Sequence, residues 1–417
     1  MMSSFTNLET LANPTSFFKQ LRHERPVYFD TTLNAYVITM YKDVHSVLNQ
    51  PNLFSSALAL FHAYKFEKTV NEILVEKAHG PFAPILPMTD PPEHTRVRKA
   101  LNLAFSKPRV MKFQEYIENV IEEIFDNVLD AGKMEVMKEL AVPLPVSIIA
   151  HLLDVPRERS ADIKRWTQAY TSCAGNRISS EEEAVQIGND LAEMQNFIID
   201  HIESRRGKEQ DYDDVLNDIV NSNGGELSDE EILAISAGFL VAGHETGSLV
   251  IVSLFKTLAE NPAFIDYLRN VKAEEKDKAY QTFIEEALRM NAPVRMLPRV
   301  TTADADVSGV AIPAGSLTFV VMSSGNMDET LFGDKSEEFV PDRANAFRHL
   351  SFGSGPHVCI GNQLARVELK CLLKAIVEKM DDIKLDAEIT LKDYVPVILD
   401  INVHLNKLDI TFKKAQV

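Results

Sequence analysis

Cysteine is scarce in this chain: three in 417 residues, Cys173, Cys359 and Cys371. An odd, small count excludes a disulfide-stapled scaffold and fits a reducing, cytoplasmic compartment. No Cys-x-x-Cys pair occurs, so the usual thiolate framework of a structural zinc site is missing. Positive charge is short as well. Forty-three Lys and Arg face 61 Asp and Glu, for a formal charge of −18, the wrong balance for a general nucleic-acid binder. The N-terminal run MMSSFTNLETLANPTSFFKQ lacks a basic segment ahead of an apolar core, so neither signal peptide nor anchor is expected. The best membrane candidate, Ile232 to Phe255, is interrupted at its centre by Gly243-His244-Glu245-Thr246-Gly247. Glutamate is costly at mid-bilayer, and the run reads as the buried core helix of a soluble protein. Gly-x-Gly-x-x-Gly, internal repeats and low-complexity linkers are absent.

What remains is ordinary globular composition, 45% hydrophobic and 25% charged. Length alone allows one large domain or two to three smaller ones. Val27-Tyr28-Phe29 and Ala35 to Thr39 flank a polar turn and predict a hairpin. From about Asp90 to Asn261 the pattern is mostly helical. Asp90-Pro91-Pro92-Glu93 predicts a helix start with Asp90 as its cap. Ser228-Asp229-Glu230-Glu231 predicts a capping box ahead of the long apolar helix. Lys276 to Met290 and Gly361 to Met380 read as helices; Val307 to Met322 and Tyr394 to Phe412 read as short strands. The expected fold class is mainly α with small β-sheets. A β-richer part spans about 1–89, a helical core about 90–290 and a mixed part about 291–417. No regular βαβ alternation supports a doubly wound sheet.

The most informative stretch is Phe352-Gly353-Ser354-Gly355-Pro356-His357-Val358-Cys359-Ile360-Gly361. Glycines allow positive φ and close backbone approach. The cysteine stands just before a long helix, whose free N–H groups and dipole favour a thiolate. A single thiolate in such a cradle suits a metal with one protein ligand on that side. A buried, inert cysteine beside a glycine loop remains open, as does a zinc site, although Cys371 is two or three helical turns away.

The run FGSGPHVCIG resembles the haem-binding loop of the cytochrome P450 family, haem-thiolate monooxygenases, in its soluble bacterial type. The resemblance implies a single P450 domain over residues 1–417: a long central helix over haem b (iron protoporphyrin IX), a cysteine-ligand loop and a minor β-sheet lobe. It implies Cys359 as axial iron ligand, Phe352 shielding the sulfur, and Gly353 and Gly361 shaping the loop. Glu286-x-x-Arg289 matches the family's Glu-x-x-Arg motif, and Arg343, after Phe339-x-Pro341, supplies its third member. Ala242 and Gly243 would lie against the porphyrin, and Thr246 and Glu245 would deliver protons. His94 and Arg98, at i and i+4, would face the haem propionates with Arg299 and His357.

By the same similarity a substrate pocket would include Phe82, Ile85, Leu86, Ile235 and Phe239. Val294, Arg295 and Val397 would complete it. The implied partners are a small, mostly apolar substrate and a ferredoxin with ferredoxin reductase, or a flavodoxin, docking near Lys107, Arg109, Lys112, Arg348 and Arg366. Neither nucleic acid nor membrane is expected, and the chain would act as a monomer. The expected reaction is hydroxylation. Alternatives are demethylation, oxidative coupling or peroxide-driven oxidation at the same haem, a haem-binding sensor or carrier without turnover, and a zinc or purely structural helical protein.

Overall fold

The computed structural model describes residues 5, 7–63, 66–174, 178–208, 212–222, 227–397 and 402–415. The chain forms two compact units. The first comprises Met1–Phe54, Met111–Leu144 and Thr246–Val417; the second comprises Ser55–Val110 and Pro145–Glu245.

The first unit carries the sheets. Val27–Asp30 and Ala35–Ile38 form the expected antiparallel hairpin, with Val27 opposite Ile38. Its turn is organised by Asp30, whose carboxylate accepts the backbone N–H groups of Thr32 (2.9 Å) and Leu33 (3.1 Å). The second hairpin strand continues in parallel to Leu317–Val320, which pairs antiparallel with Leu297–Thr301. Phe17, Phe18, Leu21, Val37 and Phe319 close one apolar face of this sheet. Lys276–Met290 is helical as its periodicity predicts, with Phe283, Ile284, Ala287 and Leu288 buried. Glu285, Glu286 and Arg289 are buried on the same helix, and these charges need partners.

The helix Asn362–Lys379 buries Leu364, Leu369, Leu372, Leu373 and Ile376, together with Glu368. Among the described residues no group bonds Glu368 Oε1, and burial pushes this carboxyl up to about 8. Its folded pKa exceeds the unfolded one. The stability it contributes is therefore fully present below about pH 4.5 and is lost as pH rises towards 8. That loss is on the order of 4–5 kcal/mol at 1.36 kcal/mol per pKa unit. Glu368→Gln keeps the shape without the charge. In urea unfolding the variant should become progressively more stable than wild type between about pH 5 and pH 8; parallel stability curves would contradict the assignment.

The second unit is helical. Glu181–Arg205 starts at Ser180, whose hydroxyl accepts the Glu183 N–H at 3.2 Å, and approaches Lys68–Lys77 closely at Gly188. A Cβ there would stand 2.7 Å from Ile73 Cδ1, which is why glycine is required. The capping box also forms. Ser228 N–H donates to Glu231 Oε2 at 2.9 Å and Glu231 N–H to Ser228 Oγ at 3.2 Å. It opens the 32-residue helix Asp229–Glu260, which by length and composition alone could cross a membrane. The Asp90 expectation is corrected. The helix is Glu93–Ala104, preceded by Pro92, and Asp90 instead accepts the Ser56 N–H (3.0 Å) and the Ser55 hydroxyl at the start of Ser56–Ala63. A carboxylate satisfies whichever free N–H groups the chain brings to it, and here they belong to another helix.

Candidate functional site

In the first unit the cysteine loop runs from Phe352 to Gly361, the residue immediately before the helix Asn362–Lys379. The Cys359 N–H donates to the Phe352 carbonyl at 2.8 Å, folding the loop back on itself. Gly353 and Gly355 hold φ of +72° and +70°. A Cβ on Gly355 would sit 2.7 Å from the Leu48 carbonyl oxygen, so the second glycine is needed for space and for conformation. Within this compact turn Cys359 is exposed, while Cys173 and Cys371 are buried, with thiols pushed up to about 12 chiefly by burial. Reactivity belongs to the exposed thiol at a helix start rather than to the buried pair.

Behind the loop, Glu286 and Arg289 pair as the i, i+3 spacing predicts: Arg289 Nε to Glu286 Oε2 at 2.7 Å and Nη2 to Oε1 at 2.8 Å. Arg343 Nε reaches the same carboxylate at 2.9 Å. Arg289 also donates to the carbonyls of Asn326 (2.7 Å) and Ser336 (2.6 Å), and Arg343 to that of Phe332 (2.7 Å). One carboxylate and two guanidinium groups thus hold residues 326–338 by their backbone.

On the central helix, His244 and Ser248 are buried, whereas Phe239, Ala242, Gly243, Glu245 and Thr246 keep access to solvent. Gly238, Val241 and Gly247 are half-buried too, so the accessible stripe is broad and lies on the side of the helix away from Leu240, His244 and Ser248. Burial, aided by the charge of Lys164, pushes His244 down to about 4, so it is neutral at pH 7. At Gly243 a Cβ would stand 2.3 Å from Ile149 Cδ1, so the two residues approach closely within the second unit and a larger residue would push the Ile149 side chain aside.

Comparison with known proteins turns this geometry into an identity. The cytochrome P450 family model matches residues 6–381. The chain belongs to the cytochrome P450 family. It is 29% identical to the cytochrome P450 monooxygenase PikC of Streptomyces venezuelae, over 90% of this chain and 86% of that one. It is 29% identical to the steroid C26-monooxygenase of Mycobacterium tuberculosis, over 89% and 87%. A crystal structure of P450BioI with acyl carrier protein carrying hexadec-9Z-enoic acid superposes with a TM-score of 0.82 at 25% identity, covering 97% of this chain and all of that one. This cytochrome P450 is therefore a monooxygenase, an oxidoreductase with a haem-thiolate cofactor that acts on a small molecule with redox partners.

The residues of this P450 fit such a cofactor. Among those described, no three His, Cys, Asp or Glu side chains gather as a metal site. The exposed thiol is thus a lone donor, as suits a metal whose other ligands come from a macrocycle. The expected propionate cations divide between the units. Arg299 (buried, Nη1 to the Pro298 carbonyl at 2.7 Å) and His357 lie in the first. His94 and Arg98 lie in the second, one turn apart on Glu93–Ala104. His94 is buried, and its imidazole is held below the usual range by burial and by the charge of Arg98. Arg98 Nε donates to Asn102 Oδ1 at 3.1 Å.

The pocket residues are mixed. Phe82 meets Phe66 (5.7 Å) and Tyr170 (5.4 Å) edge to face, and Phe239 meets Phe105 at 4.9 Å. Ile85 packs over Gly238, and Leu86 is half-buried. Ile235 is buried in the core. Val294 packs against a core cluster of the first unit. Arg295 is half-buried. Its Nη1 donates to the Leu11 carbonyl, and burial lowers its guanidinium to about 10. Val397 ends the strand Tyr394–Val397, opposite Asn402; its side chain lies outside the described residues.

Two residues of the expected basic docking patch are engaged in ion pairs, Arg366 while still partly exposed. Arg109 is buried and paired with Asp213 and, at 2.7 Å, with Asp218; Arg366 is bound by Glu285 at 2.6 Å. Sequence reasoning took both for surface charges and missed Glu285 altogether. The doublet Glu285-Glu286 was the one available signal.

Proposed function

We propose that this P450 uses dioxygen to hydroxylate an unactivated C–H bond of a small to medium, mostly apolar molecule, with haem b held through the Cys359 sulfur. The carrying observation is the exposure of that one thiol in a glycine-shaped turn at a helix start. When bound, thiolate-ligated haem supplies dioxygen activation, the sulfur pushing electron density onto iron. The chain's own residues do the rest. Phe352 keeps one face of the sulfur dry, and Arg299 and His357 hold the propionates. Glu245 and Thr246 are adjacent on the accessible stripe of the central helix, where a carboxylate and a hydroxyl can pass protons from solvent. The apolar side chains Phe82, Leu86 and Phe239 select the substrate by burial.

Relatives named a steroid C26-monooxygenase and a 6-deoxyerythronolide B hydroxylase support hydroxylation of carbon skeletons. Electrons, in this reading, come from a ferredoxin and its reductase, and the protein works in the cytoplasm as a monomer and as one domain. Three cysteines without a disulfide framework suit that compartment.

A screen of candidate substrates for a spin-state shift of the pigment, followed by NADPH consumption with a surrogate ferredoxin and reductase, tests the reading. Substrate-dependent consumption with a hydroxylated product is expected. A colourless protein expressed with ample haem would refute it. Thr246→Ala should retain haem, leak peroxide and give less product per NADPH, with product formation slowed by about a hundredfold, the lower end of a proton-transfer contribution. Coupling equal to wild type would exclude Thr246 from proton delivery.

A further inference from the structure

Glu285 stands one residue before Glu286 but serves a separate network. Its carboxylate accepts Arg366 Nε at 2.6 Å, Arg366 Nη2 at 3.0 Å and His349 Nε2 at 3.0 Å. His349 Nδ1 accepts the backbone N–H of Ser351 at 3.0 Å. The ring proton must then sit on Nε2, so a neutral His349 donates to Glu285. Against the upward push of burial, the bonds from His349 and Arg366 hold the Glu285 carboxyl at about 2, so it is ionised.

The network leads to the cysteine loop. The Arg366 guanidinium covers the ring of Phe352, 4.6 Å from its centroid, and the His349 ring stands 5.7 Å from the same ring. Phe352 in turn accepts the Cys359 N–H through its carbonyl at 2.8 Å. One aromatic residue and one backbone hydrogen bond therefore separate a partly buried ion pair from the thiol.

We infer that Glu285, Arg366 and His349 form a positioning and charge-balancing device for Cys359: they set Phe352, and the opposite charges of Glu285 and Arg366 cancel near the sulfur. This rests on Cys359 being the haem ligand. The Glu286 carboxylate is bound by Arg289 and Arg343, a set that shares no member with this one. The two networks therefore divide the work, one holding the backbone of residues 326–338 and the other the aromatic base of the loop. Because the pair is largely shielded from solvent, removing one charge leaves the other weakly screened.

The signs follow. Arg366→Gln leaves the Glu285 anion, disfavours adding an electron to the nearby iron and lowers the haem reduction potential. Glu285→Gln leaves the Arg366 cation and raises it. A merely structural role would move both variants in one direction, through loss of the thiolate ligand. The experiment is a spectroelectrochemical titration of wild type, Arg366→Gln, Glu285→Gln and Arg366→Lys, each first checked for the ferrous–CO spectrum of a thiolate-ligated haem. Opposite shifts are expected for the two glutamine variants, with Arg366→Lys close to wild type because it keeps the charge. Shifts of the same sign, no shifts, or a lysine variant behaving like Arg366→Gln would overturn the inference while leaving the ligand assignment standing. If both glutamine variants fail to fold, Arg366→Met and Glu285→Leu, which each remove one charge and keep apolar bulk, are titrated in their place with the same opposite shifts expected. A wild-type protein without the thiolate spectrum would overturn the assignment and this inference together.

Discussion

Cys359→Ser is expected to abolish the thiolate-type ferrous–CO band and to reduce oxygenation to background. Serine is nearly isosteric, but its hydroxyl stays protonated at neutral pH and cannot push electron density onto iron as a thiolate does. The turn itself should survive. Its closing hydrogen bond runs from the backbone N–H of residue 359 to the Phe352 carbonyl, and its two positive-φ glycines are unaffected. A folded variant of unchanged helix content without the thiolate spectrum is therefore the predicted outcome. Persistence of that band would move the ligand elsewhere, and the buried Cys173 and Cys371 would be the only other thiols.

Arg289→Ala carries the largest expected loss of stability. Glu286 and Arg289 have side chains with no solvent exposure, so the substitution strips a buried carboxylate of its bidentate partner. It also leaves the Asn326, Ser336 and Glu338 carbonyls without their shared donor. Arg343 still reaches Glu286 and partly compensates. Breaking a buried ion pair from one side typically costs about 3–5 kcal/mol. That is a large share of a domain's whole margin of about 5–15 kcal/mol. The denaturant midpoint should fall accordingly, with weaker haem retention, because residues 326–338 lead into the cysteine loop. A change under about 1 kcal/mol would mean that the network is dispensable.

Local sequence carried much of this architecture. Ser228 and Glu231 form their box because both partners lie within one helical turn. Lys276–Met290 and the Val27–Ile38 hairpin follow directly from their hydrophobic periods. The motif residues Glu286, Arg289 and Arg343 bond one another in the first unit, which also carries Cys359. Charges were legible only by type. Nothing in the sequence distinguishes Arg366, wrapped around Glu285, from the exposed Arg348. Asp90 reads as the cap of the nearest helix, yet it caps another one 34 residues upstream.

Sequence alone determined the mainly helical class, the one reactive cysteine and the motif that identifies the family, because these depend on residue type at short spacing. Tertiary structure decided which charges are buried and what each one serves. It paired Arg109 with Asp213 and Asp218, turned Arg295 towards Leu11, set Gly243 against Ile149 and placed Arg366 over Phe352. The reason is physical: a side chain's burial and partners depend on segments up to hundreds of residues away, and desolvation makes an unpaired charge far more costly inside than outside.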